Sequence, residues 1–306
     1  MPFPAGASRT LLNNKAMKLA NITCVYCGNK DEPDNPLTDE HVIGRNFVPK
    51  GSLATGWNLI TKACHSCNDK KADLENDLSA ITLLPDLGTS HDRLDLQALA
   101  ARKAGGSHSR HTGKAVADSY EEGAIEGKLM GALDVRFSFV GPPRMAPERV
   151  RQLAHFHLQG FFYLITYNEV ERTGGSLPGD LGWVNDARLP DWGNALQVAF
   201  ADLTNRWDSR IEGVGAEGYF KIAIRRDPSG ADLWSFALEW NKALRSIGFF
   251  GDLARAQAYV DALPALELKQ IDATHRMRLE VPLDAKDDLA LSSGRTPVVV
   301  VCRRYP

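Results

Sequence analysis

Residues 24–70 read CVYCGNKDEPDNPLTDEHVIGRNFVPKGSLATGWNLITKACHSCNDK, and this stretch decides the fold of the N-terminal part. Cys24 and Cys27 form one Cys-x-x-Cys pair, and Cys64 and Cys67 form another. Two such pairs supply four thiolates in a tetrahedron around Zn²⁺ and leave no open coordination position, which makes the site structural. We therefore predict one structural zinc ion bound by all four cysteines.

The length of chain between the two pairs indicates what the zinc holds together. The gap from Cys27 to Cys64 contains 36 residues, whereas a simple zinc ribbon has roughly 15–20. A plain ribbon and two unrelated thiol pairs are the alternatives to a shared site. The long gap favours a folded element between the pairs, which the metal stabilises because so short a segment has little core of its own.

The gap and its C-terminal flank contain a base, a carboxylate and amides in an order that suits metal-assisted hydrolysis. Such chemistry needs a group that activates water, and an imidazole with a pKa near neutrality is suited to this. It also needs a hard cation that is held by few oxygen ligands. His41 offers the base and Glu40 offers a carboxylate at the end of a predicted strand. Asn68 offers an amide oxygen from the start of the helix that follows the second cysteine pair.

The order of these elements resembles the HNH endonuclease family. Cys-x-x-Cys, acid-His-Val-Ile, Asn-Leu and Cys-x-x-Cys-Asn followed by Lys occur in that order over about residues 21–80. The resemblance implies a ββα-metal fold and hydrolysis of phosphodiester bonds in nucleic acid. It implies that His41 is the general base and Glu40 the first ligand of a catalytic divalent ion. Asn58 would orient the histidine and brace its loop, and Asn68 would take the third position of a His-Asn-Asn motif. Oxygen ligands of this kind favour Mg²⁺ or Mn²⁺ as the catalytic ion.

Three features depart from the family pattern. Gly44 stands where the family often has Pro, and the two asparagines of the motif are one residue further apart than usual. Strict strand alternation places Asp39, not Glu40, on the face of His41, so the assignment of Glu40 requires the strand to end or bulge there.

Other polar residues of this stretch have two interpretations each. Asp39 is either a solvated acid or a group that supports the metal ligands from outside. His65 is an alternative to Asn68 for the third position. The basic residues either contact phosphate or are solvated charges. They are Arg45, Lys62, Lys70 and Lys71.

Composition limits the class of protein. The 306 residues are 43% hydrophobic and 24% charged, with a formal net charge of −2, as in a soluble globular protein. This charge disfavours a protein that coats DNA through many phosphate contacts, but it suits an enzyme with basic residues at one cleft. The sequence begins without an apolar stretch typical of a signal peptide, and its apolar runs are too short to cross a bilayer. We therefore expect a soluble cytoplasmic protein with no membrane partner.

We expect an α+β fold with three regions. Residues 1–88 form the zinc-stapled ββα-metal (HNH) domain, residues 89–125 form a helical and flexible connector, and residues 126–306 form a larger α+β domain with a mostly antiparallel sheet. The connector begins with a helical pattern at 94–104 and continues into GGSHSRHTGK (105–114), which is typical of a mobile loop or linker. In the last region the patterns predict strands at 133–140 and 296–305, helices at 146–171 and 253–263, and a hairpin at 218–240.

The functional expectation is a metal-dependent endonuclease that hydrolyses phosphodiester bonds of nucleic acid, with DNA expected as the substrate over RNA, and that serves as a restriction or antiviral effector. The C-terminal domain would recognise, sense or regulate through an activating ligand or a protein partner, an expectation that rests on analogy between folds. One alternative is a non-catalytic zinc-knuckle module that binds nucleic acid or protein. Another is that the C-terminal domain is the enzyme, although it contains no nucleophile elbow, phosphate loop or acid pair.

Overall fold

The computed structural model describes residues 8–12, 16–53, 57–85, 91, 93–129, 133–270, 276–291 and 299–303. The predicted domain boundary near residue 88 lies outside the described residues. The protein is a mixed α+β structure, as expected, and its sheets are mainly antiparallel. No helix in the described ranges is long and apolar enough to cross a membrane.

The strands and helices are numbered in chain order. The strands are β1 Ser8–Leu12, β2 Met17–Lys18, β3 Leu37–His41, β4 Leu59–Cys64, β5 Glu121–Leu129, β6 Leu133–Gly141, β7 Leu181–Arg188, β8 Asp208–Gly215, β9 Phe220–Arg226, β10 Leu233–Trp240, β11 Leu244–Gly251, β12 Lys269–Gln270, β13 Arg276–Met277 and β14 Val299–Arg303. The helices are α1 His65–Thr82, α2 Leu94–Gly106, α3 Pro147–Ile165, α4 Ala195–Thr204 and α5 Leu253–Ala262.

The N-terminal part contains a three-stranded sheet followed by a helix. Strands β3 and β4 form an antiparallel pair in which His41 is opposite Ile60, and β2 adds to β4 in parallel. Helix α1 begins directly after Cys64, where β4 ends. It buries Lys71, Leu74, Glu75 and Leu78, which recur at helical spacing on one face. This face therefore carries two charged residues into the interior.

The C-terminal part is built on a five-stranded antiparallel sheet with the order β7-β11-β10-β9-β8. The predicted hairpin at 218–240 is present as β9 and β10, and the predicted helix at 253–263 is present as α5. Helix α3 lies on one face of the sheet, where Phe162 meets Trp234 edge to face. Helices α4 and α5 cover the other face, where Phe200 and Tyr259 pack on Phe249.

Helix α3 joins the two parts through one continuous hydrophobic core. Trp57 of the N-terminal part stacks on Phe161 with ring centroids 5.6 Å apart, and Phe161 stacks in turn on Phe220 of the sheet. The approach is close at Gly160, where a Cβ would lie 2.7 Å from Val42 Cγ1. The strand–strand–helix unit therefore buries its apolar side against the C-terminal part.

Three elements differ from the sequence expectation. Helix α3 ends at Ile165, earlier than the predicted residue 171. The Thr166 hydroxyl donates to the Phe162 carbonyl at the helix end and accepts the N–H of Gly175, so the chain turns back there. The segment 105–114, expected to be a mobile loop, is closed by an isolated bridge between His108 and Ala115 and by backbone bonds. Strand β5 begins inside the predicted connector and pairs with β6, which covers the predicted strand at 133–140.

Candidate metal centre and active-site cleft

The four paired cysteines meet in one cluster. Cys24 and Cys27 lie in the turn after β2, Cys64 is the last residue of β4, and Cys67 lies in the first turn of α1. Their Sγ atoms all lie within 4.8 Å of one another, and those of Cys27 and Cys64 are 3.7 Å apart. Tetrahedral zinc with Zn–S bonds of about 2.3 Å requires sulfur atoms roughly 3.8 Å apart. The predicted convergence of the two pairs is confirmed, and the cluster could hold a structural zinc ion.

The surroundings of Cys24 favour its thiolate form. A hydrogen bond with the Cys67 thiol lowers the pKa of Cys24 to about 4, against the effect of burial. The backbone N–H of Tyr26 also donates to Cys24 Sγ at 3.4 Å. Since the thiolate is the form that ligates metal, the fold prepares one ligand before any ion binds. Asn21 fixes the turn to β4, because its amide bonds both the N–H and the carbonyl of Lys62.

Glu40 lies in a buried network and not on the open surface. Its Oε1 accepts the Tyr26 hydroxyl at 2.9 Å and the Lys71 ammonium at 2.9 Å. Lys71 is only 1% exposed and also reaches Glu75 Oε1 at 2.6 Å and the backbone carbonyl of His41 at 3.1 Å. Burial raises the pKa of Glu40, and the ammonium of Lys71 opposes this. The sequence interpretation of Lys71 as a phosphate contact or a solvated charge is wrong, because the folded chain encloses it between two carboxylates.

Glu75 extends this network to the turn after β3 and to helix α3. Its Oε1 accepts the N–H of Gly44 at 3.0 Å, and Nε2 of His157 lies 3.3 Å away. A Cβ at Gly44 would lie 2.0 Å from Glu75 Oε2. This explains the departure at Gly44, since Pro has no N–H to donate and any side chain there would collide with the carboxylate. His157 is fully buried among aromatic rings, and burial lowers its pKa to about 4, so it is neutral at pH 7.

His41 is the last residue of β3, and its half-buried side chain lines two neighbouring cavities. Burial lowers the pKa of His41, and the positive charges of Arg45 and Lys71 lower it further. The imidazole is therefore neutral near pH 7 and able to accept a proton. Strand alternation is regular here, with Asp39 exposed and Glu40 buried toward α1.

The smaller cavity, which we call the cleft, has a volume of about 190 Å³ and lies between β3 and α1. Glu40, His41 and Asn68 all line it, so the structure brings three of the sequence-predicted residues together. Asn68 donates from Nδ2 to the Thr38 hydroxyl at 3.2 Å, which leaves its amide oxygen on the other side. Both contacts of Glu40 use Oε1, so Oε2 has no partner among the described residues.

Asn58 braces the turn that follows His41. Its amide accepts the N–H of Ile43 at 3.2 Å and donates to the carbonyl of Ile43 at 2.9 Å. Within the described ranges no hydrogen bond joins Asn58 to the His41 ring, so its effect on the histidine acts through the backbone.

The remaining candidates lie around the cleft. Asp39 pairs with Lys18 and Lys62, and these bonds lower its pKa to about 2. His65 is exposed and pairs with Asp69 outside the cleft. Arg45 and Lys70 are exposed, and Arg45 lines the cleft.

Sequence reasoning missed the supporting residues Tyr26, Glu75 and His157, and noted Gly44 only as a departure from the family pattern. The only available signal was the i,i+4 spacing of Lys71 and Glu75 in α1, which is far more often a surface pair. Comparisons of the chain with protein-family models, with curated proteins and with solved structures find no match in any of the three. The residues and their geometry are therefore the only basis for inferring a function of this chain.

Proposed function

We propose that the chain is a metal-dependent endonuclease of the HNH type, with DNA the favoured substrate over RNA. The observation that carries the proposal is the position of His41. Its ring, kept neutral by burial and neighbouring cations, lines the same cleft as a carboxylate and an amide, Glu40 and Asn68. A base beside oxygen ligands for a hard cation is the arrangement that metal-assisted phosphodiester hydrolysis needs.

The residues of the cleft fit a catalytic Mg²⁺ or Mn²⁺. Glu40 Oε2 is unpartnered among the described residues, and the amide oxygen of Asn68 is a second hard donor. Two protein ligands are sufficient, because Mg²⁺ keeps several waters and takes phosphate oxygens as further ligands. The ion would supply positive charge to the phosphorane and to the leaving oxygen.

The chain's own residues would carry the proton transfer. A ring nitrogen of His41 accepts a proton from water, the resulting hydroxide attacks phosphorus, the bond from phosphorus to the leaving sugar oxygen breaks, and that oxygen takes up a proton from solvent. Asn58 holds the turn after His41 through Ile43, and Lys71 holds the His41 carbonyl, so the backbone that follows the histidine is fixed. A general base works only when it is held within reach of its proton.

One observation favours a second candidate, a non-catalytic zinc-knuckle module. The Lys71 ammonium already compensates the negative charge of Glu40, so this carboxylate needs no metal ion beside it. In that case the chain would bind nucleic acid or protein without cutting it, and added divalent ions would change nothing.

The test is incubation of the purified protein with plasmid, linear DNA and RNA, with Mg²⁺, with Mn²⁺ or without added divalent ion. We expect cleavage only with the added ion, and we expect His41→Ala to slow it by at least about 10²-fold, as for a lost general base. His65→Ala is the matched control, because His65 lies outside the cleft. Equal cleavage by His41→Ala and the parent contradicts the proposal, and a parent without cleavage under all conditions supports the zinc-knuckle module.

The C-terminal part would control or target cutting, as a restriction or antiviral effector requires. The contact that supports this is His157 of α3 against Glu75, which shares the Lys71 ammonium with Glu40. Because the two parts share one core, a deletion of either would expose apolar surface. His157→Gln is therefore a cleaner test than truncation, and we expect it to change the cleavage rate without loss of zinc. An unchanged rate would contradict a role of α3 in cutting.

A further inference from the structure

A larger groove lies beside the cleft, and His41 lines both. The groove has a volume of about 1010 Å³. One wall is the segment 45–53 that follows β3, and the other is the C-terminal half of α2. Lys103 of α2 ties the two walls together, because its ammonium donates to the Asn46 carbonyl and to the Ser79 hydroxyl. Helix α2 lies outside the segment that resembles the HNH family, in what the sequence indicated was a connector.

All charged side chains that line this groove in the described part of the chain are positive. Arg45, Lys50, Arg102 and Lys103 line it, and no Asp or Glu is among the described residues that do. Arg45, Lys50 and Arg102 are exposed and have no carboxylate partner within the described part of the chain.

Three exposed arginines outside the groove are paired with carboxylates. Arg93 pairs with Asp95, Arg110 with Asp73, and Arg144 with Glu121. Three cations without carboxylate partners along one groove, in a chain of net charge −2, form a local concentration of positive charge that attracts a polyanion.

The uncharged lining indicates how the polyanion would lie. Val48, Leu53, Ile60 and Leu99 provide an aliphatic surface, and no Phe, Tyr or Trp is among the lining residues that the structure describes. Proteins that hold single strands stack the bases on aromatic side chains, each stack contributing about 1–3 kcal/mol. A groove with cations but no stacking surface is suited to a sugar–phosphate backbone whose bases remain paired.

We propose that this groove binds the sugar–phosphate backbone of a nucleic-acid duplex, with Arg45, Lys50 and Arg102 as phosphate contacts, and leads the backbone to His41. The proposal rests on the proposed nuclease function and adds to it the binding surface, the double-stranded form of the substrate and recognition without reading of the bases.

Binding without catalysis provides the first test. Affinities of the zinc-loaded full chain are measured without added divalent ion for a DNA duplex, an RNA duplex and single-stranded DNA of equal length and unrelated sequences. We expect tighter binding of a duplex than of the single strand, with little dependence on sequence. Comparison of the affinities for the DNA duplex and the RNA duplex then shows which of the two the groove binds.

Arg102→Gln and Lys50→Gln test the two walls. Each should weaken duplex binding by about eightfold at 0.1 M salt and reduce the slope of log affinity against log salt by about 0.9, the effect of one lost phosphate contact. Arg102→Lys should recover most of the affinity. Arg206→Gln is the matched control, because it removes the same charge from an exposed arginine after α4, on the far face of the sheet, and should bind as the parent does.

The outcomes separate the groove from the nuclease proposal. If Arg102→Gln and Lys50→Gln bind and cut as the parent does, or if single strands bind most tightly, the groove proposal is wrong while nuclease activity stands. If both variants lose duplex affinity but the parent never cuts, the groove proposal holds and the nuclease proposal fails.

Discussion

Replacement of Lys71 by Met removes one charge from the centre of the site. Lys71 is 1% exposed and lies 2.9 Å from Glu40 Oε1 and 2.6 Å from Glu75 Oε1. Methionine keeps the length and most of the volume of the side chain, so the packing of α1 should be preserved. The variant therefore leaves two buried carboxylates without their counter-charge.

The size of the effect follows from that burial. Removal of one partner from a buried ion pair costs about 3–5 kcal/mol, because the remaining charge stays desolvated. At about 2 °C per kcal/mol for a chain of this size, the melting temperature should fall by roughly 6–10 °C. The structure places Glu40 and Glu75 on the same ammonium, so the loss should be at the upper end of this range.

The assay is thermal unfolding of the zinc-loaded protein, with zinc content measured on each sample. Lys70→Met is the matched control, because Lys70 is the exposed neighbour on the same helix and should change stability by less than about 0.5 kcal/mol. Addition of Glu75→Gln to Lys71→Met should recover part of the loss, since one uncompensated charge disappears. A melting temperature for Lys71→Met within about 2 °C of that of Lys70→Met would refute the reasoning.

Three further predictions concern the zinc cluster, the shared core and the turn after His41. Elemental analysis should find one zinc per chain, and Cys64→Ser should lose the metal and most of the cooperative unfolding transition; full zinc content in that variant would contradict the shared site. Gly160→Ala should destabilise by about 1–3 kcal/mol in urea unfolding, because its Cβ meets Val42 at 2.7 Å, whereas Gly105→Ala in open space should stabilise by up to about 1 kcal/mol. Asn58→Ala should lower the cleavage rate while zinc content stays constant, because both backbone bonds that brace the turn are lost, and an unchanged rate would show that the brace does not matter for cutting.

The sequence predicted the parts of this protein that depend on local pattern. The convergence of Cys24, Cys27, Cys64 and Cys67 follows from their spacing, because metal ligation imposes a geometry that few other arrangements satisfy. Strands and helices with strong periodicity, such as the hairpin at 218–240 and α5, were also predicted, since their apolar residues must share one face.

Tertiary structure decided the environment of each charged residue near the cleft. In the sequence, the pair Lys71 and Glu75 is compatible with a solvated helix face as well as with a buried one. Only the packing of α3 onto α1 encloses these two side chains. The packing of α1 against the turn after β3 gives Gly44 its role, because the carboxylate that excludes a side chain there comes from a residue 31 positions away.

Contacts between distant segments had no sequence signal at all. Strand β1 pairs with β14, joining residues 8–12 to residues 299–303, and α2 reaches the segment 45–53 to form the groove beside His41. Pairing of this kind depends on which apolar faces are left uncovered once the local elements have formed, and that is a property of the whole chain. Local spacing therefore determined the metal cluster and the order of the motif, whereas burial across the shared core decided which charges are held inside and which remain free to meet a ligand.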